Sequence, residues 1–187
     1  MTVCYVRPLI AGNKPARMAA RCRRIATEPK TRRAASKPKA RGAASPKTAG
    51  LLDTNVISEL RRVRPHGAVV AWLQTVPDHD LFLSAVTVGE VQAGIEIARG
   101  LDPAKAQEIE AWLDLVVGTY NILPMDAAAF RTWARLMHRQ SNDLIEDAMI
   151  AATADIHDLT VVTRNSQDFA LLGVRTFNPF GSGTAPS

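Results

Sequence analysis

GLLDTNVISE, residues 50–59, joins a short apolar run to an acidic residue and then to a helical pattern. Further short apolar runs follow along the chain, and stretches with helical spacing separate them. Strands that alternate with helices are typical of a parallel sheet covered by helices on its faces. The sequence therefore predicts an α/β domain that begins near residue 49 and is built around a short, twisted parallel sheet.

The predicted elements follow from apolar spacing and from helix-start and helix-stop residues. The predicted strands are residues 50–52, 81–85, 120–123, 160–163 and 174–177. The predicted helices are residues 55–62, 67–76, 88–98 and 103–117, one that begins at residue 126, and 143–157. Leu144, Ala148, Ala151 and Ala154 share one side of the last helix, so we expect that helix to pack close to the sheet.

Residues 1–48 differ in composition from the rest of the chain. They hold 13 Lys/Arg and one acidic residue, a net charge of +12, whereas residues 49–187 hold 10 Lys/Arg and 17 acidic residues, a net charge of −7. Because residues 14–47 have almost no large apolar side chains, we expect a disordered basic extension. Three interpretations stay open: a nucleic-acid-binding tail, a targeting peptide, and a start codon assigned too far upstream. Residues 49–180 would then form the domain and residues 181–187 a flexible tail.

Several function classes are excluded for the predicted domain. Both cysteines, Cys4 and Cys22, lie in the basic segment, so the domain has no disulfide and no thiol chemistry. The sequence has neither a Walker-type loop nor a Gly-x-Gly-x-x-Gly run. No apolar run approaches the roughly 18 residues that span a bilayer. We therefore expect a cytoplasmic protein without membrane contact.

Acidic residues stand at or just beyond several predicted strands. Asp53, Glu90 and Asp168 each follow a strand, and Asp147 lies near the start of the last predicted helix. Each acid also has a plain structural interpretation. Asp53 would cap a helix, Glu90 would complete a capping box with Thr87, Asp147 would oppose a helix dipole, and Asp168 would start a turn. For each acid considered alone, the structural interpretation is at least as well supported as a functional role.

The joint pattern of these acids favours a metal site. The carboxyl ends of parallel strands lie at one edge of a sheet, where ligands bind in open α/β folds. Carboxylates gathered there repel one another unless a cation lies among them. Hard oxygen ligands suit Mg²⁺, with Mn²⁺ as a substitute, and no Cys/His spacing suits zinc. The four histidines are scattered along the chain.

Four segments resemble the motifs of PIN-domain ribonuclease toxins, in the VapC and FitB-like branch of type II toxin–antitoxin systems. They are LLDTNVISE at residues 51–59, SAVTVGEV at 84–91, EDAMIAATA at 146–154, and VVTRN at 161–165 with Asp168 and Phe169. They occur in the family order and cover residues 50–180. The resemblance implies a three-layer PIN-like fold and magnesium-dependent hydrolysis of RNA phosphodiester bonds. It also implies a VapB-like antitoxin and a homodimer.

The same resemblance implies roles for individual residues. Asp53, Glu90 and Asp147 match the acids that hold metal in the family, and with Asp168 they form the expected catalytic set. Thr54 and Thr163 match hydroxyl residues near the site. Asn165 stands where many relatives have Asp; it can bind through its carbonyl but brings no charge, which favours one metal over two.

The predicted domain has a net charge of −7, yet it must also bind RNA, which is a polyanion. Arg131, Arg135 and Arg139 recur every four residues, which predicts a shared helix face that contacts phosphates. The alternative is an ordinary solvated face, and Arg164 is a further candidate for RNA binding. Two other functions stay open at this stage: a noncatalytic PIN-like binding module, and a metal-dependent phosphatase of small substrates.

Overall fold

The structure is a computed structural model, which describes residues 49–181. The predicted basic extension, residues 1–48, lies outside the described residues, and so does almost all of the predicted tail. Within residues 49–181 no helix is long and apolar enough to cross a bilayer.

The described residues form a five-stranded parallel sheet flanked by helices, which confirms the predicted fold class. The strands are β1 (Gly50–Leu52), β2 (Leu81–Ser84), β3 (Asn121–Leu123), β4 (Thr160–Val162) and β5 (Thr176–Phe177). The helices are α1 (Thr54–Glu59), α2 (Gly67–Thr75), α3 (Ala85–Arg99), α4 (Pro103–Thr119), α5 (Ala127–Leu136), α6 (Ile145–Ile156) and α7 (Ser166–Leu171). Short 3₁₀ turns at Asp78–Asp80 and Asn142–Leu144 precede β2 and α6.

The strand order in the sheet is β3-β2-β1-β4-β5, so β1 is the central strand. Leu52 lies opposite Leu83 of β2 on one side and Val162 of β4 on the other. The chain builds β2 and β3 on one side of β1 and then crosses to build β4 and β5 on the other. The order therefore reverses beside β1, and the carboxyl ends of β1 and β4 border the crevice where such folds bind ligands.

The core joins the sheet to α6 and α7. Leu51 and Val161 from the sheet pack in one buried cluster with Ala148, Ala151 and Phe169. The alanines allow α6 to lie close to the strands, as its sequence pattern predicts. The glycine at the start of β1 leaves room for the side chain of Val162 in the neighbouring strand. A Cβ atom on Gly50 would lie 2.9 Å from Cγ2 of Val162.

Two predicted helix boundaries are wrong in ways that affect the site. The helix predicted to begin at residue 88 begins at Ala85, because β2 ends at Ser84 and the Ser84 hydroxyl accepts a hydrogen bond from the Val86 amide at 3.2 Å. The helix that begins after Asp126 ends at Leu136, and Arg139 has a left-handed backbone with a φ of 67°. The other boundaries differ from prediction by a few residues at element ends.

Candidate active site

Asp53 lies at the junction of β1 and α1 and is only 4% exposed. Its Oδ1 accepts a hydrogen bond from the Thr54 amide at 2.6 Å, so it caps α1 as the sequence predicts. Its Oδ2 accepts hydrogen bonds from the Thr163 hydroxyl at 2.7 Å and from the side-chain amide of Asn55 at 2.5 Å. Because β1 and β4 are neighbours, the residues that follow them meet. Asp53 can therefore cap α1 with one carboxylate oxygen and belong to the candidate site with the other.

Glu90 lies in the second turn of α3, and its Oε2 accepts a hydrogen bond from the Thr54 hydroxyl at 2.5 Å. The capping-box interpretation of Thr87 and Glu90 is wrong, because α3 starts at Ala85 and Thr87 is already inside the helix. Among the described residues the buried Thr87 hydroxyl has no hydrogen-bond partner. The carboxylate of Glu90 therefore faces the residue next to Asp53 instead of closing a helix end.

Asp147 and Asp168 occupy the first turns of α6 and α7, respectively. The Asn165 side-chain amide lies between them, 3.5 Å from Oδ2 of Asp147 and 2.5 Å from Oδ2 of Asp168. The Asn165 backbone amide donates to the Thr163 hydroxyl at 2.8 Å, which ties this loop to the Asp53 network. The structure thus brings together all the acids that the sequence analysis selected.

The electrostatics of these acids reflect burial and mutual repulsion. Burial and then the charges of Asp53, Asp168, Glu90 and Glu146 raise the pKa of Asp147 to about 7. Burial also raises the pKa of Asp53, although three hydrogen bonds oppose the rise. The pKa of Glu90 is raised by burial, and the Thr54 hydroxyl opposes this. The carboxylates are therefore close enough to disfavour one another's charged forms.

The donor set fits a hard divalent cation by its chemistry. All four acids supply oxygen atoms, and their repulsion is the kind that a cation relieves. Among residues 49–181, however, no three acidic, histidine or cysteine side chains already lie together as a ready metal-binding group. Hydrogen bonds to Thr54, Asn55, Thr163 and Asn165 hold the carboxylates instead. Metal binding would thus require the side chains to draw together.

Only two of the three arginines predicted to share one helix face, Arg131 and Arg135, lie within α5. Arg139 lies beyond the end of α5 in a left-handed conformation, so the predicted helix face of Arg131, Arg135 and Arg139 is wrong for its last member. Arg135 donates to the Thr132 hydroxyl at 2.8 Å. Arg164 lies in the loop between Thr163 and Asn165, directly beside the carboxylates in the chain.

Sequence reasoning missed two residues of this region, Asn55 and Glu59. Besides contacting Asp53, the Asn55 side chain accepts a hydrogen bond from the Arg164 amide at 3.0 Å. Glu59 is only 3% exposed. It follows the buried Val56 by three residues, one helical turn, and an acid on the apolar side of a helix was the signal that could have revealed it.

The chain is similar to a known protein family and to several of its members. Residues 50–173 match the PIN domain family. Toxin FitB of Neisseria gonorrhoeae is 37% identical over 137 residues, which cover 70% of this chain and 97% of the relative. VapC ribonuclease Y4jK of Sinorhizobium fredii is 36% identical over 140 residues, covering 70% and 96%.

A solved structure gives the same result. The chain in a structure of FitAB bound to an IR36 DNA fragment superposes with a TM-score of 0.62 at 34% identity, covering 72% of this chain and 98% of that one. Together, the match over residues 50–173 and these relatives place the chain in the PIN domain family, within its branch of FitB- and VapC-like toxins.

Proposed function

We propose that this protein is a magnesium-dependent endoribonuclease and the toxin of a VapBC-like toxin–antitoxin pair. The observation that carries the proposal is the buried Asp53 carboxylate just after β1. Hydrogen bonds through Thr54, Thr163 and Asn165 link it to the other acids, Glu90, Asp147 and Asp168. The names of relatives support the activity, since one is described as a VapC ribonuclease. A noncatalytic PIN-like module would have no need to keep these repelling acids together.

Asp53 and Asp147 would be the primary ligands of Mg²⁺, or of Mn²⁺ in its place, and Glu90 would add a third oxygen ligand directly or through water. When bound, such a cation lowers the pKa of a bound water and stabilises charge that develops on phosphate oxygens. One cation is the simpler arrangement, because Asn165 stands where a further carboxylate would support a second.

The chain's own residues hold these groups in place. Hydrogen bonds from Thr163 and Asn55 orient the Asp53 carboxylate, and Thr54 orients Glu90 in the same way. Asn165 orients Asp168. A carboxylate in hydrogen-bond reach of the attacking water can accept its proton, and Glu90 and Asp168 are the candidates for that role.

The partners follow from the same relatives. A structural neighbour from Klebsiella pneumoniae, 29% identical, is described as a toxin–antitoxin complex. We therefore expect an antitoxin that inserts a cationic side chain among the carboxylates, because a fixed positive charge relieves the same repulsion that a metal ion relieves. We also propose that two copies of this chain form a homodimer.

The test is Asp53→Asn, assayed for RNA cleavage with added Mg²⁺ and again with a chelator. Asn caps helices about as well as Asp, so α1 should stay intact while the ligand charge is lost. We expect cleavage to fall about 100-fold or more, since mispositioned catalytic groups commonly cost that much. Asp143→Asn is the matched control, because Asp143 is exposed and lies outside the carboxylate group.

Circular dichroism of both variants checks the fold. Full activity of Asp53→Asn would show that Asp53 is not an active-site residue. Release of phosphate from a small ester, with RNA left intact, would instead favour a metal-dependent phosphatase. The absence of both activities in the wild-type protein would favour a noncatalytic module.

A further inference from the structure

A second cluster of interacting side chains lies beside the proposed metal site, and its members are Glu59, Arg164 and Phe180. Glu59 is a buried carboxylate, yet it takes no part in the interactions that link Asp53, Glu90, Asp147 and Asp168. It ends α1, the helix that Asp53 caps at its other end. One end of this short helix thus carries Asp53 of the proposed metal site, and the other end carries Glu59 of the second cluster.

Two arginines pair with Glu59. Nη1 of Arg62 lies 3.0 Å from its Oε2, and Nη2 of Arg164 lies 3.4 Å from the same oxygen. The backbone amide of His66 donates to its Oε1 at 2.9 Å. Arg62 and the amide already compensate the buried carboxylate, so neutralising Glu59 does not by itself require Arg164.

Arg164 is held in a defined orientation. Its guanidinium carbon lies 4.0 Å from the centroid of the Phe180 ring, so an aromatic face supports the cation while Glu59 fixes one edge. The centroid of the His66 ring lies 5.4 Å from that of the Phe180 ring. The Arg164 side chain is nevertheless 49% exposed. Among the described residues, Glu59 is the single hydrogen-bond partner of the guanidinium, so most of its five N–H donors stay available.

The backbone around Arg164 belongs to the carboxylate network. The preceding Thr163 donates to Asp53, and the following Asn165 donates to Asp168. The Arg164 amide donates to Asn55, which in turn contacts Asp53. The guanidinium itself contacts Glu59, six residues along α1 from Asp53, which is about 9 Å at 1.5 Å per residue. An anion bound by Arg164 would therefore lie beside the proposed metal site and not within it.

We propose that Arg164 binds a nonscissile phosphate of the RNA strand, with Glu59 and Phe180 as positioning residues. The proposal rests on the proposed ribonuclease function and identifies where the substrate backbone is held. A planar guanidinium with free in-plane donors matches phosphate oxygens. Residues 49–187 carry a net charge of −7, so a strand that approaches the carboxylates needs a fixed cation beside them.

The experiment compares Arg164→Gln, Arg164→Lys and the control Arg62→Gln. Arg62 is the other cation that pairs with Glu59, and its side chain is 57% exposed. Arg62→Gln removes that charge and leaves Arg164 in place. Cleavage of a single-stranded RNA is measured with Mg²⁺ at several salt concentrations. Binding of the same RNA is measured in chelator, where cleavage does not interfere, and melting temperatures check each fold.

We expect Arg164→Gln to raise KM and Kd about ten-fold or more, the loss typical of a charged hydrogen bond, with a smaller change in kcat. The slope of log Kd against log salt should fall by about 0.7, the value for one lost phosphate contact in single strands. Arg164→Lys should keep that slope because it keeps the charge. Arg62→Gln should leave KM and the slope unchanged.

Equal effects of Arg164→Gln and Arg62→Gln would overturn the proposal, since both would then act only through Glu59. So would a lower melting temperature of Arg164→Gln with unchanged KM, Kd and salt slope. Failure of the proposed function has a different signature, in which the wild type does not cleave RNA with Mg²⁺. The binding slopes in chelator still decide the role of Arg164 in that case.

Discussion

Asp147→Asn should stabilise the metal-free domain at high pH and have little effect at low pH. The Asp147 carboxyl, which ordinarily ionises near 3.8, has its pKa raised to about 7 by burial and by neighbouring carboxylates. Between these two values the folded state binds the proton more tightly than the unfolded state. The stability that this group contributes is fully present below about pH 3.8 and is lost progressively as the pH rises from there to about 7. Asn is uncharged at all pH values and avoids that loss.

The size of the effect follows from the same values. A pKa moved from 3.8 to about 7 corresponds to at most about 4 kcal/mol, at 1.36 kcal/mol per pKa unit. Asp147 is partly exposed and coupled to other acids, so we expect about 1–2 kcal/mol to be measured. For a domain of this size that difference is about 3–10 °C in melting temperature.

The assay is urea unfolding of wild type, Asp147→Asn and Asp143→Asn in chelator, from about pH 4 to about pH 8. The advantage of Asp147→Asn over wild type should grow across this range, while Asp143→Asn follows the wild type. Added Mg²⁺ at the highest pH should then stabilise wild type more than Asp147→Asn, because the variant lacks a ligand charge. Parallel stability profiles for wild type and Asp147→Asn would refute the raised pKa of Asp147, and with it the combined effect of burial and neighbouring charges.

Three further outcomes are expected. Glu90→Gln should reduce RNA cleavage more than Asp168→Asn; if instead it only lowered stability, by roughly 0.5–1.5 kcal/mol as for one lost hydrogen bond, Glu90 would have no role in the active site. A chain that begins at Ala49 should keep its melting temperature and its cleavage of RNA, and loss of folding would contradict this. Gly50→Ala should cost about 1–3 kcal/mol of unfolding free energy, measured in urea, because its Cβ would lie 2.9 Å from Val162.

The fold class was predictable because it depends on local patterns. Short apolar runs that alternate with helical spacing indicate a parallel sheet covered by helices, whatever the strand order. The stretch around Asp53 is informative for the same reason, since a strand, a cap and a helix follow within residues 50–59. The convergence of the acids was also predictable, because the ends of parallel strands lie at one edge of the sheet.

Element boundaries near the site were less predictable. Ser84 and Thr87 are both good caps by sequence, and local propensity does not choose between them. The choice depends on where β2 stops pairing with its neighbours, and Ser84 is its last paired residue, opposite Leu123 of β3. That choice turned Glu90 from half of a capping box into a partner of Thr54.

By itself, the sequence determined the kind of fold, the acids at its strand ends and the family. Only the tertiary structure decided that β4 lies beside β1, which brings Thr163 to Asp53. It also decided that Glu59 pairs with Arg164, a residue 105 positions away. The physical reason is that periodicity and capping act over a few residues, whereas strand order and buried ion pairs depend on how distant segments share one core.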